Sequence, residues 1–149
     1  QALLRENMGM LKLDDGKGEV SIIAGDFKGI KGPASTFTKM NIYNVNLKAN
    51  ATITITEPSN FNTGILVLKG KIKINENELC EEKDFILFNN VDGEILVESV
   101  SEDTLFIVLS GEPINEPVVS HGPFVMNTVE EIYEAYEDFR NGKFGTEVF

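Results

Sequence analysis

Residues 111–145 read GEPINEPVVSHGPFVMNTVEEIYEAYEDFRNGKFG, and the second half of this stretch has the grammar of a capped helix. Thr128 followed by Glu131 is a capping box: the threonine hydroxyl accepts from the amide of Glu131, and the glutamate side chain reaches back to the amide of Thr128. The spacing predicts a helix from about Val129, with Val129, Ile132, Tyr136 and Phe139 forming one apolar stripe and Glu130, Glu134, Glu137 and Asp138 on the other faces. Acidic residues crowd the first turns and Arg140 and Lys143 follow at the end, as the helix dipole favours. Gly142 fits a left-handed cap. Ahead of the helix, Pro113, Pro117 and Pro123 argue for an extended strap rather than further strand or helix. An amphipathic helix must bury its stripe against the body of its own domain or against another chain or domain.

Upstream, the chain reads as a series of short strands. Glu19–Ala24 follows a turn at Asp15, Gly16, Lys17 and Gly18. Tyr43, Val45 and Leu47 alternate with polar residues, as do Ile53 and Ile55, which is the period of a strand with one buried face. Ile65–Leu68, Ile72–Ile74, Phe85–Phe88, Ile95–Val97 and Leu105–Leu109 complete the series, punctuated by Asn75–Glu78, Asp92-Gly93 and Ser101–Asp103. Strands this short and regular imply a sandwich or barrel, and no helices lie between them to build a parallel sheet.

The 149 residues fit one domain, and a 42% hydrophobic content suffices for a single core. No apolar run is long enough to span a bilayer and none has the form of a signal peptide. The 24 acidic residues outnumber the 13 basic ones, giving a net charge of −11, the wrong sign for tracking phosphates, so direct nucleic-acid binding is disfavoured. The single Cys80 excludes an internal disulfide and any multi-cysteine metal site, and fits a reducing, cytoplasmic setting.

The strap and helix of Gly111–Gly145 resemble the closing segment of the pirin family. The run ILVLKG ending at Gly70 is similar to the close of the first motif of the cupins, the jelly-roll barrels to which pirins belong, although by spacing alone a hairpin with glycine at its turn serves as well. The phrase IIAGDFKGIKGP resembles the loop that opens the C-terminal cupin of a pirin. The resemblance covers about Glu19 to Gly145. It implies an all-β cupin jelly-roll barrel with a C-terminal α-helix: a lead-in or interdomain connection over 1–15, the barrel over 16–110, and strap and helix over 111–149 in the same domain. Pirins are bicupins whose N-terminal half holds iron or another divalent metal through three histidines and a glutamate. Their C-terminal half generally lacks metal, and the terminal helix contributes to contact between halves.

Metal-binding cupins place two histidines and a glutamate upstream of the glycine matched by Gly70. Here the glutamate position falls on Thr63, the histidine positions near Glu57 and Ser59, and an occasional histidine of the pattern on Phe61. The resemblance therefore implies no metal site and no catalytic residue in this chain, and no cofactor of its own. Glu57, Glu81, Glu82 and Asp84 are oxygen donors for a hard cation, but the acidic run near Cys80 reads as a solvated turn. His121 is the only histidine, without an orienting partner in sequence, and reads as structural or exposed. Cys80 has acidic flanks and reads as packed rather than reactive. Gly25, Gly29 and Gly32 fail the spacing of a phosphate loop.

Three functions follow. The first is a metal-free interaction domain that docks through Val129, Ile132, Tyr136 and Phe139 on a missing N-terminal pirin half, or on a second copy of itself. The second is a small-ligand barrel with a pocket lined by Tyr43, Asn60, Phe61, Asn62 and Phe88. The third is an enzyme, either acting alone through carboxylates, Tyr43 and His121, or forming part of a pirin-type quercetin 2,3-dioxygenase whose active site lies in the other half.

Overall fold

The computed structural model describes residues 3–14 and 16–145; Gln1, Ala2 and Asp15 of the expected lead-in and turn, and residues 146–149, lie outside them. The chain divides into two compact units, one reaching to Pro113 and one beginning at Ile114, and each is taken by itself.

In the first unit the strands are β1 (Gly9–Lys12), β2 (Gly18–Ala24), β3 (Asp26–Phe27), β4 (Ile30–Lys31), β5 (Met40–Lys48), β6 (Thr52–Ile55), β7 (Asn62–Lys69), β8 (Lys71–Ile74), β9 (Glu78–Glu81), β10 (Phe85–Leu87), β11 (Ile95–Ser99) and β12 (Asp103–Gly111). They form a six-stranded sheet in the order β1-β2-β5-β12-β7-β10 and a four-stranded sheet in the order β6-β11-β8-β9, with β3 and β4 as a separate hairpin. Inward residues of both sheets enter one core: Tyr43, Val45 and Phe106 from the larger, Ile55, Ile72 and Val97 from the smaller. This is the jelly-roll arrangement. Each such side chain, fully buried, contributes about 1.5–3 kcal/mol of transfer free energy.

Gly70 is the corner between the sheets rather than the turn of a hairpin, because β7 belongs to the six-stranded sheet and β8 to the four-stranded one. Its φ is +79°, and a Cβ there would lie 2.6 Å from the carbonyl oxygen of Asp103. The position accepts glycine for both reasons.

One sequence expectation is corrected. The lead-in is not merely a connection: Gly9–Lys12 pairs with β2 as an edge strand of the larger sheet. The acidic run near Cys80 is a solvated turn as expected, with Glu81, Glu82 and Asp84 exposed and Lys83 at φ +80°, and it closes β9 (Glu78–Glu81), which pairs with β8 and points Cys80 into the core. A second turn lies before β9, where Asn75 and Glu76 both have positive φ.

The second unit comprises β13 (Val119–His121), β14 (Phe124–Met126) and helix α1 (Val129–Arg140). The strap expected to be merely extended contains a hairpin, with His121 opposite Phe124. Gly122 takes φ +57° at the first turn position, while Pro123 cannot adopt positive φ at the second, which defines a type II′ turn. The prolines that disfavour a strand flank this hairpin or sit in its turn, where they remove no ladder bond.

The helix keeps its expected limits. Thr128 Oγ1 accepts from the Glu131 amide at 3.2 Å, and Glu131 Oε2 accepts from the Thr128 amide at 2.9 Å. At the other end Gly142 has φ +70°, and the amides of Gly142 and Lys143 donate to the carbonyls of Phe139 and Asp138, a Schellman cap. The expected stripe divides. Ile132 and Ala135 are buried, and Tyr136 lies edge-on to Phe124 with centroids 5.0 Å apart, while Val129 and Phe139 are exposed. A 12-residue helix against a short hairpin covers only its central turns.

Candidate functional site

Three surfaces carry features beyond the core: a cleft at one end of the barrel, the outer face of the larger sheet and a groove on the helical unit.

The cleft has a volume of about 300 Å³ and is walled by the segment joining β6 to β7, the segment joining β10 to β11, Thr63 of β7 and Asn75. Glu57 enters from the first wall and is held by two neutral donors. The Tyr43 hydroxyl donates to its Oε1 at 2.8 Å, and Asn41 Nδ2 donates to its Oε2 at 2.6 Å. Asn41 is itself fixed, since its Oδ1 accepts from the Asp26 amide at 3.1 Å. Burial, followed by the adjacent Glu57 charge and its hydrogen bond, pushes the Tyr43 phenol far above its ordinary value, so it remains a proton donor. Deeper in, the Thr63 and Ser110 hydroxyls lie 2.8 Å apart, each satisfying the other.

Of the residues expected to line a barrel pocket, Phe61 and Phe88 do line this cleft. Tyr43 is wholly buried behind Glu57, stacked obliquely on Phe27 with centroids 4.7 Å apart. Asn60 and Asn62 are exposed, and Asn62 accepts from Asn90 Nδ2 at 3.0 Å. Alternation along a strand does not locate residues in the loops between strands, which is why Glu57 escapes it.

The outer face of the six-stranded sheet is polar on one side and apolar on the other. Pairing places Phe85, Leu66, Ile107 and Asn44 in one outward row, and Leu87, Gly64, Leu109 and Ile42 in the next. Phe85 is 56% exposed and Leu87 69% exposed. Toward β2 the face turns polar through Asn44, Asn46, Ser21 and Glu19. An antiparallel sheet facing only water alternates apolar with polar, whereas β7 and β12 are apolar on both faces near this edge.

In the helical unit, Val119, His121, Ile132, Tyr133, Tyr136 and Arg140 line a groove of about 510 Å³. His121 is exposed; its carbonyl accepts from the Tyr136 hydroxyl at 3.4 Å, and its ring lies 5.8 Å from that of Tyr136. Cys80 is buried, and burial with Glu78 and Asp84 nearby raises its thiol pKa. Gly25 and Gly29 serve the β3–β4 hairpin, whose turn has Lys28 at φ +50° and Gly29 at +85°. Among the described residues, no group of three or more His, Cys, Asp or Glu side chains is placed to hold a metal ion, and no helix is long and apolar enough to cross a membrane.

The family model of the pirin C-terminal cupin domain matches residues 42–145. The chain belongs to the pirin family, as a C-terminal cupin domain. It is 35% identical over 97% of its length to a Pseudomonas aeruginosa protein named provisionally as a quercetin 2,3-dioxygenase, covering 50% of that protein. Against mouse Pirin it is 34% identical over 86% of its length, covering 45% of that protein. Its structure resembles an Acinetobacter baumannii quercetin 2,3-dioxygenase with a TM-score of 0.88 and 36% identity, over 98% of this chain and 50% of the other. The chain thus spans about half the length of the curated relatives it matches.

Within this pirin cupin, the counted histidine and glutamate positions are occupied by Glu57, Ser59 and Thr63, all three on the cleft. Thr63 is closed onto Ser110, and Glu57 is engaged by Tyr43 and Asn41. What the cleft offers is one oriented carboxylate, hydroxyls and amides beside two phenylalanines. The apolar sheet edge was signalled in sequence by ILVL and LFIVL, runs too continuous for strands with one wet face.

Proposed function

We propose that the chain is the metal-free docking half of a two-cupin pirin, and that its partner is a metal-binding cupin half presented to the outer face of the six-stranded sheet. The observation that carries this reading is the apolar patch formed by Phe85, Leu87, Leu66, Ile107, Leu109 and Ile42. A second cupin supplies an occupant of suitable size, since the relatives carry about another chain's length beyond the matched half. Lack of imidazole in the cleft supports a half that holds no metal, because cupin iron chemistry relies on neutral nitrogen ligands with open positions. Dioxygenase activity of the kind named in two relatives then belongs to the partner half. This chain contributes by burying that half's apolar surface and fixing its position.

The test mixes this chain with a separately expressed metal-binding pirin half and measures association by calorimetry and light scattering, with metal content read on each. Association with metal confined to the partner is expected. Leu87→Arg with Leu109→Arg, both at exposed positions, should weaken it by tenfold or more, on the order of the loss seen at interface centres. Unchanged association of the double variant, or stoichiometric metal on this chain alone, would overturn the reading. A second reading, docking through the helix, is favoured by the exposed Val129, Tyr133 and Phe139. Tyr133→Asp separates the two.

A further inference from the structure

The barrel-end cleft has a feature that docking does not use. Glu57 is a half-buried carboxylate whose two hydrogen bonds come from a phenol and an amide, both neutral. Tyr43 and Asn41 therefore orient the charge without cancelling it. Asp92 and Glu94 also line the cleft, and among its lining residues there is no lysine, arginine or histidine. A carboxylate in a recess of reduced dielectric gains far more from a cation than one in open water does.

We propose that this cleft is a binding site for a small organic cation, an amine or ammonium compound with an apolar body, whose charged head meets Glu57 and whose body lies against Phe61 and Phe88. Three features select this class. The carboxylates with no opposing base reject organic acids. The phenylalanines favour an aromatic or alkyl body and attract a cationic head through the ring face. A bare divalent ion is disfavoured, since a hard cation needs six or more oxygens and no carboxylate cluster of that kind exists among the described residues. A volume of about 300 Å³ stands at the small end for ligand pockets, which restricts the ligand to a single ring or its equivalent.

The site is independent of the docking role, because the cleft residues and the outer-face residues are different sets. Glu57 occupies the neighbourhood where metal-binding cupins place imidazoles. The recess is retained with its ligand chemistry changed, from a metal held by imidazoles and a carboxylate to an organic cation held by a carboxylate without imidazole.

The experiment titrates the whole chain with three probes of matched size: benzylammonium, benzyl alcohol and benzoate. Calorimetry and thermal shift provide the readouts. Benzylammonium should bind about tenfold or more tightly than benzyl alcohol, the return expected from one charge-assisted hydrogen bond, and benzoate should not bind. Glu57→Gln should lose that margin, while Glu130→Gln on the helical unit should keep it. Tetramethylammonium should displace benzylammonium from the unmodified chain where equimolar sodium does not, a readout that requires no variant to fold. Equal binding of amine and alcohol, no binding of any probe, equal losses in the two variants, or displacement by sodium as effective as by tetramethylammonium would each overturn the proposal.

Discussion

Tyr43 is wholly buried and gives its hydroxyl proton to Glu57 at 2.8 Å. Its folded pKa is raised above the ordinary 10.0, by burial first and by Glu57 second. A raised folded pKa means that the unfolded chain ionises first. Its stabilising contribution is complete below the unfolded value and is lost as pH climbs through and beyond it. The stability of the barrel should therefore fall above about pH 10, with this one residue contributing a slope of about 1.4 kcal/mol per pH unit. Urea midpoints from pH 8 to 11.5 for the native chain and Tyr43→Phe check this: the variant should start about 1 kcal/mol lower and decline less steeply. Parallel curves would mean that the phenol titrates freely. Cys80 belongs to the same scale, since burial and its acidic neighbours raise its pKa. A thiol reagent at neutral pH should label it only in denaturant, and rapid labelling of the folded chain would contradict the packing.

At the scale of elements, the two sheets meet at Gly70, where positive φ coincides with backbone 2.6 Å from a would-be Cβ. Gly16 also has positive φ, at +67°, but open space around it. Gly70→Ala should cost about 3 kcal/mol, combining left-handed strain with a forced shift of β12, whereas Gly16→Ala should cost only about 1 kcal/mol. Equilibrium unfolding of the two variants reads the difference, and equal losses would remove the corner from the explanation. The alternating strands β5, β6 and β8 are legible in sequence because each has one wet face, and α1 is legible because its capping box and Schellman glycine are local signals. The missed elements have physical reasons. β1 and β9 are short edge strands with weak apolar patterning, and the β13–β14 hairpin is masked by prolines that sit only where no ladder bond is needed. In the site, Phe61 and Phe88 are legible as aromatic barrel-end residues. Glu57 is legible only as an oxygen donor near a cupin histidine position; its hydrogen bonds to Tyr43 and Asn41, 14 and 16 residues away, are not.

At the scale of the whole molecule, a net charge of −11 and an apolar sheet edge point to different physics for assembly. Were docking driven by charge, added salt would weaken it steeply, since screening shortens the Debye length from about 14 Å at 0.05 M to about 4 Å at 0.5 M. Burial of Phe85, Leu87 and Leu109 has the opposite signature. Apolar burial is little affected by simple salts, is strengthened by sulfate and leaves a negative heat-capacity change. Association with the partner half should therefore hold or tighten as sodium chloride rises tenfold, and its enthalpy should grow more negative with temperature. Dimers of this chain alone, if the patch finds a second copy instead, should obey the same rules but dissociate on dilution and disappear when the partner half is added. A tenfold or greater loss of affinity over that salt range would assign the assembly to the charged faces and leave the apolar edge without its proposed occupant.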